Sequence, residues 1–352
     1  MSQATVTPPG APVFATSRLP RWAPAVIAVA SVALSVGISL AAGWESKVQW
    51  ALIAALLFVL GSYVVTARVE GRRQAKDRVA TSVVWVCFVL AIVPLLSLTW
   101  TTVSNGAEVF DGYFLTHSMN GVLNNEPGGG VYAALLGTIE QVLIATLIAA
   151  PIGLLTAVYL VEYGKGKLAR AVTFFVDVMT GIPSIVAGLF VLSFWILILG
   201  FSFSGFAGAM ALAILMMPVV VRSTEEMLKL VPNELREASL ALGVPKWKTI
   251  MKIVVPTALG GITTGVMLAV ARITGETAPV LLLVFGSDLI NGNPFEGAQD
   301  SLPLYVYNQY AIGTPQAIDR AWAAALTLIA FVMILNLVAR GIARWKAPKT
   351  GR

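Results

Sequence analysis

The chain has 352 residues, of which 57% are hydrophobic and only 12% are charged, and its mean hydropathy is +0.81. A soluble domain carries about a quarter charged residues, so this composition excludes an ordinary soluble domain. It predicts an all-α protein that crosses the membrane several times. One histidine and one cysteine are too few ligands for an all-protein zinc site, and neither a metal nor a cofactor is expected.

Eight apolar stretches approach the length of about 20 residues that a helix needs to cross a bilayer core. They lie at about 24–42, 48–67, 80–101, 132–160, 178–199, 205–222, 257–284 and 321–340. The first stretch resembles a secretory signal, because Arg18 and Arg21 precede it. It is longer than the usual signal core of about 7–15 residues, which favours a retained span. Residues 1–20, with four prolines, are predicted to be a flexible tail.

The basic residues mark one side of this arrangement. Of the 24 lysines and arginines, all but Lys47, Arg272 and Arg320 lie in the terminal segments or in 68–78, 161–177 and 222–256. The segments on the other side carry eight acids, namely Glu45, Glu108, Asp111, Glu126, Asp288, Glu296, Asp300 and Asp319. By the positive-inside rule the basic side is cytoplasmic, and both termini are predicted to lie there. The net charge of +6 then reflects topology, and no nucleic-acid partner is expected.

Two long segments on the acidic side, 102–131 and 285–320, are predicted to be turn-rich loops, because asparagine, glycine and proline recur in them. Neither the glycine run 128–130 nor the lysine-containing run 164–167 has the spacing of a P-loop. If transport is driven by ATP, the ATPase is therefore a separate subunit. The chain itself is expected not to be an enzyme.

The strongest local motif lies on the predicted cytoplasmic side, in segment 223–256. A helix of about nine residues is predicted there, with Asn233 as its N-cap and Glu234 at the positive end of its dipole. Gly243 suits the left-handed residue beyond the helix, and Pro245 suits the first turn of a second helix. One helix stripe has mostly small side chains: Leu235, Ala238, Ser239 and Leu242. The helix is predicted to sit in a partner's groove; an interfacial helix on lipid headgroups is the alternative.

This motif resembles the EAA loop of ABC importer permeases: Glu-Ala-Ala, three residues, Gly, nine residues, Ile-x-Leu-Pro. The matching residues here are Glu237, Ala238, Ser239, Gly243 and Pro256. Ser239 stands in place of the second alanine, and Val255 in place of the leucine. In that family the loop forms a coupling helix that docks on the ATPase, so the resemblance implies this role for the five residues.

Four further segments extend the resemblance to the PstA-type permeases of bacterial phosphate importers, at 129–138, 180–190, 222–228 and 271–279. Together they imply a type I ABC importer transmembrane domain with a six-helix core over about 79–345. Two extra N-terminal spans and a basic linker occupy 21–78, and a cytoplasmic tail occupies 346–352. The alternatives are the sister subunit PstC and the permease of another oxyanion importer, of the sulfate or molybdate type.

The resemblance also implies a complex in the bacterial inner membrane. The chain would pair with a PstC-type permease and bind two PstB-type ATPases, while a PstS-type binding protein delivers inorganic phosphate on the outer face. Lipid would surround its spans. Two other classes explain the sequence less well. A secondary transporter often shows internal repeats and a membrane enzyme needs a polar catalytic cluster, and we find no sign of either in the sequence.

The candidate pathway residues are the charges inside predicted spans, Glu140, Arg272 and Glu276, because such charges are costly and usually face a pathway. At 1.5 Å per residue, Glu140 and Glu276 lie ~12 Å and Arg272 ~18 Å from the outer ends of their helices, which allows one common layer. The guanidinium of Arg272 suits phosphate oxygens, with Glu276 as its i,i+4 partner between turnovers. A structural ion pair is the alternative. Arg222 matches a family arginine, although it equally suits a helix-end anchor.

Overall fold

The computed structural model of the chain describes residues 19–346, with side chains through residue 341. Helices are the only extended regular structure within these residues, which confirms the predicted all-α class. The chain divides into two compact units, Met1–Thr99 and Trp100–Arg352, and the boundary falls inside one long helix. The predicted tails 1–20 and 346–352 lie almost entirely outside the described residues.

The first unit contains a helical hairpin that small polar residues hold together. Its helices are α1 (Ala23–Ala41), α2 (Lys47–Val69) and the first part of α3 (Arg72–Gly106), so the first two predicted spans correspond to α1 and α2. Ser31, Ser35 and Ser39, four residues apart along α1, are buried. Ser35 Oγ donates a hydrogen bond to the Trp50 carbonyl at 2.6 Å. Small side chains at this spacing allow two membrane helices to approach closely.

The second unit contains the end of α3 and all later helices. Three π-helical segments continue or precede these helices. The elements are α4 (Gly112–Thr116), α5 (Tyr132–Val158) with a π-helical turn at Tyr159–Tyr163, α6 (Gly166–Gly181), α7 (Ser184–Val191) with a π-helical continuation at Leu192–Ile198, α8 (Gly205–Lys229), α9 (Asn233–Ala241), α10 (Lys246–Thr249), a π-helical turn at Ile250–Val254, α11 (Val255–Thr274), α12 (Ala278–Leu283), α13 (Leu302–Ile312) and α14 (Pro315–Lys346).

The core of the second unit is the contact between α5 and α8, which run in the same direction. Every fourth residue along α5 is buried, in the series Gly137, Gln141, Ala145, Ala149, Gly153 and Ala157. These side chains are mostly small, and a Cβ at Gly153 would lie only 2.7 Å from Val220 Cγ1 of α8. The spacing therefore lets the two backbones approach closely. Near the helix starts, Gln141 faces Gly208, so one register holds along both helices.

Within the described residues, seven helices are long and apolar enough to cross a membrane, and there are eight spans if α6 and α7 with its continuation count as one. This confirms a multi-pass membrane protein. The predicted fifth span, 178–199, is not straight, because these two helices meet at an angle of 108°. Gly181 and Pro183 lie at this break.

Two other predicted stretches differ from the structure. The seventh predicted span, 257–284, is not one helix: α11 ends at Thr274 and α12 begins at Ala278. Pro279 in the first turn of α12 cannot continue a helix from the preceding residues, because its ring clashes with the carbonyl four residues earlier. The predicted loop 285–320 contains α13, with Pro303 in its first turn. Proline there favours a helix start, so the loop prediction was wrong for this part.

Candidate functional site

The segment that resembles a coupling loop forms a short helix whose C-terminal end is capped. α9 spans nine residues, as predicted, and Gly243 just beyond it has φ +74°. The Val244 N–H donates to the Ser239 carbonyl at 3.2 Å, and the Gly243 N–H donates to the Leu240 carbonyl at 2.9 Å. These two bonds form a Schellman motif. The predicted left-handed conformation of Gly243 is confirmed.

The predicted stripe on α9 divides between an outer and an inner face. Leu235 and Leu242 are 41% and 83% exposed, and Glu237 and Ala238 beside them are also exposed. Ser239, by contrast, is buried, and its Oγ lies 2.9 Å from Thr249 Oγ1. Ser239 therefore joins α9 to the second short helix, while the other four residues, including Leu242 at the C-cap, are exposed.

The caps of the short helices differ by one residue from the prediction. Pro232 occupies the cap position of α9 and Asn233 begins the helix, so the N-cap prediction was wrong. The Asn233 side chain accepts a hydrogen bond from Arg236 Nη1 at 3.3 Å and so does not cap the backbone. Pro245 occupies the cap position of α10, ahead of its first turn. Pro256 lies in the first turn of α11 and is exposed.

Arg222 lies within α8 and joins two helices through charge pairs. It is ion-paired with Asp177 of α6, and its Nη1 donates to Glu225 Oε2 at 2.7 Å. Glu225 is buried, and its second oxygen accepts from Lys229 Nζ at 2.6 Å. The four groups form an alternating row of acids and bases. α8 continues for about two turns beyond Arg222, so this arginine does not end the helix as the sequence predicted.

The structure does not pair Arg272 with Glu276. α11 ends at Thr274 and Gly275 follows it, so the i,i+4 geometry of a continuous helix is lost between them. Arg272 is exposed and Glu276 is half-buried. Within the described residues, neither side chain takes part in a hydrogen bond or an ion pair. The predicted ion pair is therefore absent from this part of the chain, because the helix that should have aligned it is interrupted.

Glu140 contacts a buried polar cluster that the sequence did not predict. Gln299 Nε2 donates to Glu140 Oε2 at 2.6 Å and to the Asn291 carbonyl at 3.0 Å. Gln141 Nε2 donates to Gln299 Oε1 at 3.3 Å and to the Asp300 carbonyl at 3.2 Å. Gln141 and Gln299 are almost fully buried. Glu140 is thus held by the segment before α13 and, within the described chain, does not contact Arg272 or Glu276.

Asp300 and Arg320 complete this end of the unit. Burial, aided by the charge of Asp288, raises the pKa of the Asp300 carboxyl to about 7, although the hydrogen bond from the Ser301 N–H opposes the shift. Arg320 of α14 is only 2% exposed. Its guanidinium donates to Gln309 Oε1 of α13 and to three backbone carbonyls, those of Asn124, Glu126 and Gly128. One side chain therefore joins α13, α14 and the loop before α5.

Residues 149–352 match the family model of the binding-protein-dependent transport system inner membrane components. The chain is also 53% identical over 270 residues to the phosphate transport system permease protein PstA 1 of Mycobacterium tuberculosis (strain CDC 1551 / Oshkosh). That stretch covers 76% of this chain and 88% of the relative. The chain belongs to this permease family, as a PstA-type member. The resemblance seen in the sequence is confirmed.

Other PstA-type permeases match the same core. The permease PstA of Mycobacterium leprae (strain TN) is 50% identical over 275 residues, covering 78% of this chain and 90% of that protein. PstA of Xylella fastidiosa (strain Temecula1 / ATCC 700964) is 43% identical over 225 residues, covering 63% and 78%. A chain of the MetNI methionine ABC transporter in an inward-facing conformation aligns over 62% of this chain and 95% of its own, with a TM-score of 0.48 and 24% identity.

Several residues that organise this PstA-type permease were missed in the sequence. Gln141 stands beside Glu140 in an apolar span, and a second polar residue there was a usable signal. Gln299 lies in a polar segment where nothing local distinguishes it, since its partners on α5 are 158 and 159 positions away. Arg236 lies within the coupling motif, next to Glu237, yet its ion-pair partner Glu162 is 74 positions away.

Proposed function

We propose that this chain is the transmembrane permease subunit of an ATP-driven importer of inorganic phosphate. The observation that carries the proposal is the 53% identity over 270 residues to a protein named as a phosphate transport system permease. The relatives at 50% and 43% identity carry the same designation. No feature of the described residues favours the sulfate or molybdate alternative over phosphate.

In this proposal the chain lies in a bacterial inner membrane with both termini in the cytoplasm, where most of its basic residues lie. It pairs with a PstC-type permease, and a PstS-type protein delivers phosphate to the outer face. PstB-type ATPases dock on α9, where the exposed Leu235 and, at the C-cap, Leu242 offer apolar contacts. ATP hydrolysis belongs to those subunits, and this chain carries the substrate without catalysing a reaction.

Arg272 is proposed to bind phosphate during passage. A guanidinium presents several donors that match phosphate oxygens, and the exposed side chain of Arg272 has no partner among the described residues. Glu276 is proposed to border the same pathway at the break between α11 and α12. Glu140 and Arg222 are proposed to border it elsewhere, each held in place by neighbouring side chains.

The substrate is tested by uptake into vesicles that contain the complete complex. Labelled phosphate should enter the vesicles when the binding protein is present and ATP is supplied on the side of the membrane that carries the ATPase subunits. Unlabelled phosphate should compete, whereas sulfate and molybdate at equal concentration should not. Competition by sulfate or molybdate as strong as that by phosphate would show that the substrate assignment is wrong, even if ATP-driven transport is intact.

The pathway role of Arg272 is tested by Arg272→Gln, with Arg340→Gln as the control because Arg340 is an exposed arginine of another span. Since the described chain offers Arg272 no partner, the complex should assemble in normal amounts. A hydrogen bond to a charged group is worth about 1.5–3 kcal/mol, so uptake should fall by about tenfold to a hundredfold. Uptake equal to that of the control would remove Arg272 from the pathway.

A further inference from the structure

Arg236 joins three helical elements with a single side chain. It lies on α9, and its Nε donates to Glu162 Oε1 at 2.9 Å, in the π-helical turn that ends α5. Its Nη2 donates to the Leu228 carbonyl at 2.9 Å, and its Nη1 donates to the Val231 carbonyl at 2.6 Å. Leu228 lies in the last turn of α8, whose final carbonyls carry partial negative charge. The arginine thus caps α8 while it binds α5.

Glu162 binds residues of both short helices in the coupling segment. The side chains of Glu162 and Arg236 are 7% and 16% exposed, so the pair is largely withdrawn from solvent. The backbone carbonyl of Glu162 accepts a hydrogen bond from Lys246 Nζ, at the start of α10. Lys246 Nζ also lies 4.7 Å from the ring centroid of Tyr163, within cation–π distance. Both short helices of the coupling segment are therefore attached to the same turn of α5.

We name this set of contacts between Arg236, Lys246 and Glu162 the α5 clamp. Separating a buried ion pair leaves an uncompensated buried charge, which is strongly destabilising. Arg236 and Glu162 are therefore expected to stay together when α9 moves. Val231, between α8 and α9, and Val254, before α11, also pack in one apolar cluster with Ala157 of α5. Through the clamp, a displacement of α9 acts directly on α5, which packs along α8 and carries Glu140 near its other end.

We propose that Arg236 and Glu162 are positioning residues that transmit movement of the coupling helix to α5. The proposal rests on the proposed function, because it assumes that α9 receives force from an ATPase. Neither residue contacts the substrate. Their effect is on how much phosphate moves for each ATP that is hydrolysed.

The experiment uses the complete complex in vesicles and measures both phosphate imported and ATP hydrolysed. The variants are Arg236→Gln and Glu162→Gln. The matched controls are Arg170→Gln and Glu226→Gln: Arg170 and Glu226 are exposed, Arg170 bonds only a carbonyl of its own helix, and Glu226 has no partner among the described residues. Coupling free energies between sites correspond to changes of about 5- to 150-fold, so phosphate imported per ATP should fall by at least about fivefold in the two clamp variants and not in the controls.

A purely structural role would give a different result. It would lower the amount of assembled complex, so import and hydrolysis would fall together and their ratio would not change; that outcome would overturn the proposal. Arg236→Lys refines the test, because an ammonium keeps the charge but cannot supply the same fork of donors to Glu162 and both carbonyls. The phosphate-to-ATP ratio of Arg236→Lys should lie between those of the natural chain and Arg236→Gln.

Leu242→Glu separates this proposal from the docking role of α9. Leu242 is 83% exposed and makes no part of the clamp. If α9 docks on the ATPase, Leu242→Glu should reduce the amount of ATPase that copurifies with the permease. Unchanged copurification would contradict the docking role itself. Reduced copurification, together with an unchanged phosphate-to-ATP ratio in the clamp variants, would overturn the clamp proposal alone.

Discussion

The two ends of the α5–α8 core are held by different kinds of interaction. At the end where both helices begin, which we call the Gln299 end, the contacts are hydrogen bonds that Gln141, Gln299 and Arg320 make with amide oxygens, backbone carbonyls and the Glu140 carboxylate. At the end where they finish, which we call the Arg236 end, the contacts are pairs of opposite charges: Arg236 with Glu162, and Arg222 with Asp177 and Glu225.

The difference has a physical consequence. Buried hydrogen bonds depend on fixed geometry, and a donor or acceptor that loses its partner there has no water to replace it. Charge pairs that are partly exposed, such as Arg222 with Asp177, are weaker and can exchange partners with water. We therefore expect the Gln299 end to be the more rigid of the two. At the Arg236 end the α5 clamp is largely withdrawn from solvent, so α9 and α5 are expected to move together there, and this end carries the proposed ATPase contact.

The largest effect is expected from Arg320→Leu, which removes the arginine that joins α13, α14 and the loop before α5. The carbonyls of Asn124, Glu126 and Gly128 would lose a buried donor, so the free energy of unfolding should fall by about 3–5 kcal/mol. Unfolding of the purified chain with a denaturing detergent measures this free energy. Arg340→Leu, an exposed arginine of the same helix, should change it by less than about 0.5 kcal/mol. Equal losses in both variants would contradict a rigid Gln299 end.

A smaller effect is expected from pH at Asp300, whose pKa is raised from 3.8 to about 7 by burial. The folded chain then holds a proton that the unfolded chain has already released between about pH 4 and pH 7, so stability falls as pH rises through this range. Between pH 6 and pH 8 the loss should be about 1.4 kcal/mol, and Asp300→Asn should abolish this part of the pH dependence. Asparagine keeps the oxygen that accepts from the Ser301 N–H. A variant as pH-dependent as the natural chain would assign the titration to another group.

The same comparison explains which features were predictable from sequence. The signals for α9, including Glu234 and Gly243, lie within one short stretch, and its length and left-handed end residue were predicted correctly. The interruption after Thr274 was missed because Pro279 lies within an apolar run that was interpreted as one span. The helix α13 was missed because Pro303, near its start, was interpreted as part of a loop. The contacts that Gln299 makes with α5 and that Arg320 makes with the loop before α5 join residues 158 to 196 positions apart. No local pattern encodes such contacts, so they required the fold.

The smallest effect on overall stability, but a specific one on coupling, is expected from Gly243→Val at the Arg236 end. A Cβ at Gly243 would meet no atom within 4 Å, so the only obstacle is its φ of +74°. The left-handed conformation costs an ordinary residue about 1–2 kcal/mol, and a β-branched residue tolerates it least. The Schellman bonds from Gly243 and Val244 should open locally, which faster hydrogen exchange at these amides would reveal, while the spans stay folded. ATP hydrolysis stimulated by the loaded binding protein should fall in the assembled complex.

Gly243→Asn is the control, because asparagine adopts positive φ more readily, and it should retain most of the stimulation. If the valine and asparagine variants both showed normal stimulation of ATP hydrolysis, the C-terminal cap of α9 would have no part in coupling. The structural difference between the Gln299 end and the Arg236 end would then not explain how ATP hydrolysis is coupled to transport.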